Sequence, residues 1–270
     1  MIDTHTHTTY SHDGKGKMSA MIEKAIELGL EYYAITDHLD KDYLYCISRY
    51  KLIRQLDDDK AFKAMLDAKE KYKGRIKLGL GIEVGYAKPA IADIQAVLAK
   101  HDYDYIINSI HSVNGADAYF SGYFNGKTKD EAYRPYFENM LECLDVPYRY
   151  ETIAHIGYVA RNAPYKDKAL SYGDYPELLD KILKGIIDRD KVLEFNTNVR
   201  LKEGRFIMPP IDIVKRYYDL GGRLITIGSD AHLPERVAES YKEASDILYD
   251  IGFKEYAYYF EGKRCFTPIK

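Results

Sequence analysis

Short apolar runs alternate along the chain with segments whose apolar residues recur at helical spacing. Each run is rich in β-branched and aromatic residues and ends in polar ones. The seven runs span residues 2–7, 32–38, 76–84, 105–111, 151–156, 192–196 and 224–230. Because such runs are nearly continuous and helical segments separate them, they predict parallel strands buried on both faces.

The segments between the runs carry helix signals. Apolar residues recur at three- and four-residue spacing over 21–28, where Gly29 follows at the position of a C-terminal cap, and again over 62–69. Pro176 and Pro210 each stand at the predicted first turn of a helix. Residues 236–251 predict a last long helix, and residues 256–268 predict a hairpin that turns at Glu261 and Gly262.

Seven strand–helix units in 270 residues predict a closed or nearly closed β/α barrel, with residues 1–270 forming one domain. An open doubly wound sheet is the structural alternative, and it would place ligands in one crevice only. Candidate functional side chains instead follow nearly every run, so we favour the barrel.

Composition narrows the classes of partner and location. The net charge of −3 offers no broad basic field, so nucleic acid is not an expected partner. The three widely spaced cysteines form no CxxC pair, which favours a reducing compartment, and we expect the cytoplasm. The N-terminus lacks an apolar signal segment, and no apolar run reaches the ~20 residues that span a bilayer. We expect most of the 27 tyrosines to pack between helices and barrel.

Candidate metal ligands lie at the ends of six of the seven runs. The carboxyl ends of barrel strands converge on one mouth, where the active sites of such folds lie. Seven of the eight histidines fall on or beside these ends, whereas His101 follows a helical segment and is expected at the surface.

Two of the strand ends carry ligands in pairs. His5 and His7 are separated by one residue on a strand and therefore point to the same face, and Asp230 and His232 repeat this spacing at the end of the last strand. The two pairs would be neighbours if the barrel closes. Glu83 ends the third run, where a buried carboxylate needs a cationic partner, either a metal ion or a structural Lys or Arg.

His111 and His155 lie among apolar strand residues, where a single histidine is usually a hydrogen-bonded core residue. Because both histidines lie at the same level of adjacent strands, we favour metal ligation for the pair. A set of imidazole and carboxylate ligands without thiolates suits Zn²⁺, Mn²⁺ or Fe²⁺ in a catalytic site. Nine candidate ligands are too many for one ion, so two or three divalent ions are expected.

These residues resemble the motifs of the PHP family, named for polymerase and histidinol phosphatase domains. The motifs follow one another along almost the whole chain as HTHTTYSHDG (5–14), AITDH (34–38), GIE (81–83), NSIHSVNG (108–115), AHIG (154–157) and GSDAH (228–232).

The resemblance implies a distorted seven-stranded β/α barrel with a trinuclear metal site. The first ion would take His5, His7, Glu83 and Asp230; the second would share Glu83 and add His111 and His155; the third would take Asp13, His38 and His232. His12 stands one residue before the family position that Asp13 occupies, and it is left out of the set.

The family members most similar to this chain release phosphate from L-histidinol phosphate, a small phosphorylated substrate of histidine biosynthesis. The mechanism implied is attack on phosphorus by a hydroxide that bridges two of the ions. Asp230, His232 or a water of the third ion would protonate the leaving group. Arg161 and Arg200 follow successive strand ends and could each bind the phosphate or pair with a surface acid.

Three other functions stay open. A second possibility within the family is a phosphoesterase for nucleotides or nucleic-acid ends, although the charge argues against it. An amidohydrolase-type C–N hydrolase also begins with HxH, but it would want a lysine on strand four. A purely structural metal scaffold is disfavoured because structural sites are usually closed and tetrahedral. The oligomeric state is not predicted.

Overall fold

The computed structural model describes residues 1–47, 52–198 and 208–270. Its strands are β1 (Ile2–Asp3), β2 (Tyr32–Ile35), β3 (His38–Leu39), β4 (Lys77–Gly85), β5 (Tyr105–Ser109), β6 (Ser112–Val113), β7 (Ala116–Asp117), β8 (Thr152–Ile153), β9 (Val192–Asn196), β10 (Ile225–Gly228), β11 (Glu255–Phe260) and β12 (Lys263–Pro268). Its α-helices are α1 (Met18–Glu27), α2 (Asp58–Lys71), α3 (Ile91–Leu98), α4 (Lys129–Glu142), α5 (Pro176–Asp188), α6 (Ile211–Asp219) and α7 (Tyr241–Ile251).

The main sheet is parallel and follows the order β1-β2-β4-β5-β8-β9-β10, with β3 paired to β4 as an extension of β2. Its two edges meet, because Thr4 N–H donates to Ile227 O at 3.0 Å and His7 N–H donates to Ala231 O at 2.8 Å. A parallel bridge joins Thr6 to Ala231 at the same seam. The sheet is therefore a distorted seven-stranded barrel, as predicted, and the doubly wound alternative is excluded.

The predicted helices occur, but two of their first residues differ from the prediction. Gly29 has φ +73° directly after the C-cap residue of α1, Leu28, as the cap prediction required, and Pro176 is the first residue of α5. Pro210 caps α6 rather than lying inside it. The last helix was predicted from residue 236 but begins at Tyr241, because Ala238 and Ser240 have left-handed backbones (φ +54° and +57°) that interrupt it.

The C-terminal hairpin covers the end of the barrel where the strands begin. β11 and β12 pair antiparallel around the predicted turn, in which Glu261 and Gly262 have positive φ. Tyr32 OH donates to Tyr259 O at 2.7 Å, and the Tyr105 ring stacks on the Tyr259 ring with centroids 5.8 Å apart. We call this end of the molecule the base, and the opposite end, where the strands finish, the mouth. None of the described helices is long and apolar enough to cross a membrane.

Candidate metal centre

The nine side chains predicted as metal ligands meet at the mouth of the barrel. Seven of them line a cavity of about 470 Å³, whereas the side chains of His5 and His7 are fully buried against Glu83. Glu83 lies at the centre of the group with a side chain only 1% exposed. The strand ends thus bring together residues that are up to 227 positions apart in the sequence.

One oxygen of Glu83 faces the HxH pair. Glu83 Oε2 lies 3.2 Å from His5 Nε2 and 3.5 Å from His7 Nε2. Asp230 Oδ1 lies 3.1 Å from His7 Nε2 and 3.9 Å from His5 Nε2. Ligand atoms about 2.0–2.2 Å from a common ion are roughly 3–3.5 Å apart, so these four side chains have the spacing of one coordination shell.

The other oxygen of Glu83 faces a different pair of histidines. Glu83 Oε1 lies 2.8 Å from His155 Nε2 and 3.2 Å from His111 Nε2. His38 Nδ1 approaches the first oxygen, Oε2, at 3.0 Å. A carboxylate whose two oxygens face two sets of imidazoles has the position required to bridge two ions.

Asp13, rather than His12, lies where the third set of ligands was predicted. Asp13 Oδ2 is 3.0 Å from His232 Nε2, and Asp13 Oδ1 is 3.7 Å from His38 Nε2. His12 instead turns its Nδ1 toward Asp40 Oδ2 at 3.5 Å. His12 nevertheless lines the cavity, so it remains near any molecule bound there.

The hydrogen bonding of the cluster fits metal ions. Within the described part of the chain, His5 Nε2, His7 Nε2, His38 Nδ1 and Glu83 Oε2 are buried and have no hydrogen-bond partner. Burying so many unsatisfied polar atoms in one place would be very unfavourable unless a common ligand satisfied them. Nitrogen and carboxylate donors without thiolates suit Zn²⁺, Mn²⁺ or Fe²⁺, which supports the predicted cofactors.

Burial and mutual charge set the protonation of these groups. Burial, together with the charges of His38 and His232, lowers the pKa of His7 to about 3. Burial also disfavours the charged form of His5, but the carboxylates of Glu194 and Glu83 outweigh it and raise the pKa of His5 well above its ordinary value. The cluster is therefore a strongly coupled set of positive and negative groups, as expected where cations replace protons.

Glu194 supports the site from behind and was missed by the sequence reasoning. Its Oε1 lies 2.5 Å from His5 Nδ1, and its Oε2 accepts from the His155 backbone N–H at 2.8 Å. A Cβ on Gly228 would come within 2.6 Å of Glu194 Oε1 and 2.5 Å of His5 Cβ, so the glycine of the GSDAH motif allows this close approach. Such carboxylate–histidine pairs orient metal-ligating imidazoles.

Two further carboxylates hold the ligand-bearing segments. Asp40 Oδ1 lies 3.0 Å from His111 Nδ1, on the side of the ring away from Glu83. Asp37 accepts hydrogen bonds from the backbone N–H and hydroxyl groups of Thr8 and Ser11, which fixes the loop after His7. Both residues lie in the run ITDHLD, but a carboxylate in a strand end does not reveal its partners by sequence alone.

Two of the ligand positions have a strained backbone. His155 and Asp230 have φ +30° and +50°, a region that non-glycine residues rarely occupy. Their backbones are held in place because Glu194 accepts from His155 N–H and His5 O accepts from Asp230 N–H at 2.7 Å. Asn198 Nδ2 donates to Asp230 Oδ2 at 2.6 Å. Strain maintained in this way is typical of functional sites.

Cationic side chains line the same cavity. Arg161 lies at its wall, with Nη1 3.8 Å from Asp230 Oδ2 and a side chain 27% exposed. Arg200, the second predicted phosphate-binding residue, lies outside the described residues. Lys15 and Arg236 also line the cavity and were not predicted, since neither follows a strand end directly.

His101 differs from the surface position predicted for it. Its ring stacks on Phe62 with centroids 4.5 Å apart, and its Nε2 lies 3.2 Å from Asp59 Oδ1 and 3.4 Å from Asp58 Oδ2. Lys100 Nζ already pairs with Asp58 Oδ2 at 2.9 Å. We therefore interpret this group, which lies outside the mouth, as an ion-pair cluster that anchors α2.

Comparison with known proteins gives one consistent family. Residues 3–198 match the family described as PHP domain. A protein from Clostridium acetobutylicum, named as a probable histidinol-phosphatase, is 35% identical over 247 residues, which are 90% of this chain and 91% of that protein. A protein of the same name from Thermotoga maritima is 31% identical over 99% of this chain and 98% of its own length.

Solved structures share the fold. The crystal structure of histidinol phosphate phosphatase from Lactococcus lactis, complexed with Zn, L-histidinol and phosphate, superposes with a TM-score of 0.86 at 28% identity, covering 98% of both chains. A crystal structure from Listeria monocytogenes has a TM-score of 0.75 at 22% identity, over 90% of this chain and 99% of its own, which supports the fold alone. The family match covers most of the sequence, and the barrel and its mouth agree with it. The chain therefore belongs to the PHP family.

Proposed function

We propose that this protein is a histidinol-phosphatase, which hydrolyses L-histidinol phosphate to L-histidinol and phosphate. The observation that carries the proposal is the position of Glu83, whose two oxygens face two sets of histidines in a cavity that also holds Arg161. Such a site suits several cations and one phosphate. The relatives, which match over nearly the whole chain, indicate which phosphate ester it takes.

The residues proposed to hold the metal ions are those predicted from the sequence: His5, His7, Asp13, His38, Glu83, His111, His155, Asp230 and His232. When bound, divalent ions supply Lewis-acid activation of water and of the phosphoryl oxygens. Glu194 and Asp40 keep the rings of His5 and His111 in the orientation that ligation needs. Arg161, which lines the cavity beside Asp230, would neutralise phosphoryl charge.

Asp230 and His232 are the residues proposed to assist proton transfer to the leaving alkoxide. Burial raises the pKa of Asp230, but His7, His5 and His232 outweigh it and hold that pKa well below its ordinary value, so Asp230 would act as an acceptor. His232 Nδ1 lies 2.9 Å from Asp230 O, and its Nε2 faces Asp13, which fixes the ring at the cavity wall. Burial lowers the pKa of His232, but Asp13 and Asp230 outweigh it and raise that pKa above its ordinary value. With a cation held at the cluster the ring would be neutral, so His232 would orient the group that carries the proton to the departing oxygen.

The substrate class can be tested with metals intact. Ions per chain are counted, and phosphate release is compared for L-histidinol phosphate, a nucleoside monophosphate and a phosphorylated oligonucleotide. We expect two or three ions and the highest kcat/KM for L-histidinol phosphate. A rate on either nucleotide substrate that equals or exceeds it would contradict the proposal and favour the nucleotide or nucleic-acid alternative.

Arg161 provides a second test. Arg161→Ala should raise KM for L-histidinol phosphate roughly 10–100-fold, the value of a lost charge-assisted contact. Arg134→Ala is the matched control, since Arg134 lies on the outer face of α4 and pairs with Asp130 at 2.9 Å. An unchanged KM in Arg161→Ala would assign Arg161 to its ion pair with Asp230 alone.

The domain organisation, the location and the partners of the protein are also proposals. We propose one catalytic domain over residues 1–270. It is supported by one main hydrophobic core among the described residues, which includes Ile2 of β1 and also Ile269, the residue after β12. A cytoplasmic location and the absence of nucleic-acid partners are supported by the free cysteines and the net charge of −3. An amidohydrolase function is disfavoured, because the fourth barrel strand, β5, leads into His111 rather than a lysine.

A further inference from the structure

We propose that Arg54 is a positioning residue of the metal centre: it holds the loop that carries Asp13 and so sets the affinity of the third ion. The inference rests on the proposed function through its set of metal ligands, but not on which phosphate ester the enzyme takes. Arg54 is exposed, lies four residues before α2, and is not among the described residues that line the cavity. Its effect on the site must therefore pass through the residues that it contacts.

The Arg54 guanidinium binds three successive backbone carbonyl groups. Its Nη1 donates to Tyr10 O at 2.9 Å. Its Nη2 donates to Thr9 O at 3.1 Å and also to Ser11 O. Hydrogen bonds from a charged donor are roughly twice as strong as neutral ones, and only the planar fork of arginine presents several N–H groups in a fixed geometry. One side chain thus fixes the backbone of three consecutive residues.

These carbonyl groups belong to the loop at residues 8–14, which joins the ligands His7 and Asp13 and contains no helix or strand. Asp37 holds the inner side of the loop by accepting from its backbone and hydroxyl groups. On the outer side, Arg54 is the only donor among the described residues that reaches the three carbonyl oxygens. Removal of Arg54 would therefore leave the loop held from one side only.

Asp13 depends on its loop more than the other ligands depend on theirs. Its side chain is 45% exposed, compared with 23% for His232 and 9% or less for the other seven predicted ligands. The Asp13 carboxylate faces two histidines, and no strand fixes its backbone. Because ligand atoms must lie within about 0.2 Å of their ideal distance from an ion, a small displacement of this loop would weaken binding.

The neighbours of Arg54 explain why the effect should be confined to the third ion. Ile53 lines the cavity, and Gln55 Nε2 donates to Asp40 O at 3.3 Å. Asp40 in turn supports His111, a ligand of the second ion. Removing the Arg54 side chain leaves these contacts unchanged, so the first two ions should keep their ligands while the third loses the support of Asp13.

The experiment measures metal binding in three variants beside the wild type. Arg54→Ala removes the guanidinium, and Arg54→Lys keeps the charge but not the fork. Arg223→Ala is the matched control, because Arg223 also donates to backbone carbonyls, Tyr218 O at 2.7 Å and Gly222 O at 2.8 Å, at the end of α6. Ions per chain are counted after dialysis, and competition with a chromophoric chelator gives the affinity of each protein for its weakest-bound Zn²⁺.

We expect Arg54→Ala to bind its weakest ion roughly 10–100-fold less tightly than the wild type, the usual effect of losing an outer support of a ligand. Arg54→Lys should lie between the two, and Arg223→Ala should match the wild type. The kcat of Arg54→Ala should return to the wild-type value at high free Zn²⁺, because mass action refills the site. Hydrogen exchange at residues 8–14 should be faster in Arg54→Ala and unchanged in Arg223→Ala.

Three results would overturn the inference. An unchanged affinity for the weakest ion in Arg54→Ala would show that the loop holds Asp13 without help. An equal weakening of all the ions would indicate a general structural role. A kcat that stays low at saturating Zn²⁺ would place Arg54 in the chemistry rather than in metal binding. Should Arg54→Ala fail to fold, Arg54→Lys allows the same three comparisons.

Failure of the proposed function gives a different result. The ion counts and affinities need no substrate, so they decide the role of Arg54 even if the wild type hydrolyses another phosphate ester faster than L-histidinol phosphate. A wild type that binds no divalent ion would instead contradict the ligand set itself, before any variant is compared.

Discussion

The mouth and the base of the barrel use buried polar side chains in opposite ways. At the mouth, His5, His7 and Glu83 present buried atoms that have no hydrogen-bond partner among the described residues. At the base, Tyr105 OH donates to Thr152 Oγ1 at 2.9 Å, and Tyr32 OH donates to Tyr259 O. Both ends are built on the same strands, whose first residues face the hairpin and whose last residues face the cavity.

This difference separates function from stability. Polar groups that satisfy one another, as at the base, contribute to folding directly. Polar groups that converge without partners lower stability in the absence of a ligand and supply binding free energy when cations arrive. We therefore expect substitutions at the mouth to change metal content and catalysis, and substitutions at the base to change the free energy of unfolding.

The largest effect is expected at Glu83, where both sets of histidines converge. Glu83→Gln keeps the shape but removes the charge and one oxygen, so we expect loss of at least one ion per chain. We expect kcat to fall more than the roughly 100-fold typical of losing an outer partner of a ligand. Metal analysis and steady-state rates measure both. Glu138→Gln, on the exposed face of α4, is the control, and full metal content in Glu83→Gln would refute the bridging role.

Substitutions of Glu194, at the mouth, and Glu151, at the start of β8, compare the two ends directly. Both are buried carboxylates that accept a backbone N–H, but Glu194 contacts His5, whereas Glu151 accepts from Ile106 N–H at 2.8 Å at the start of β8. Glu194→Gln should weaken metal affinity about 10–100-fold. Glu151→Gln should leave it unchanged. Activity measured against buffered free Zn²⁺ gives both affinities, and equal values for the two variants would remove the distinction.

The pKa of Asp42 predicts how the stability of the folded protein depends on pH. It lies in the helical turn after β3, and its two buried oxygens have no hydrogen-bond partner among the described residues. Burial, reinforced by the charge of Asp40, raises the pKa of Asp42 to about 8. Between about pH 4 and pH 8 the folded protein therefore binds a proton that the unfolded chain has released, so its stability falls as pH rises.

Asp42→Asn should remove this dependence. The contribution of Asp42 to the free energy of unfolding should decline by up to about 1.4 kcal/mol for each pH unit in that window, and the variant should show a flatter curve. Urea unfolding of both proteins from pH 5 to pH 9 measures the difference. The variant should be the more stable protein at pH 8, and the reverse order there would show that the carboxylate is compensated.

The smallest effect is expected at the base. Tyr105→Phe removes the hydrogen bond to Thr152 and should lower the free energy of unfolding by about 1 kcal/mol, with kcat unchanged. Tyr249→Phe, at a tyrosine that is 40% exposed, should change neither quantity. Thermal unfolding and steady-state rates test the pair. A fall in kcat for Tyr105→Phe without loss of stability would mean that the two ends are coupled.

The parts of the site that could be predicted from the sequence were those with a local signature. His5 and His7 share a face because they are separated by one residue, and Asp13 stands at a fixed distance after them. Glu194 and Asp40 have no such signature. Each carboxylate acquires its role from a partner on another element, as when Glu194 meets His5 across 189 positions. The helix boundary near residue 241 was wrong for a related reason, since the left-handed Ser240 depends on the packing around it.

The sequence by itself determined the seven strands, most of the helices and the residue types at the mouth, because apolar runs, helical spacing and i,i+2 pairs are properties of neighbouring residues. Only the tertiary structure decided that β1 closes against β10 and that the two oxygens of Glu83 face different histidines. Those relations depend on how distant segments pack together, and no local pattern in the sequence predicts that packing.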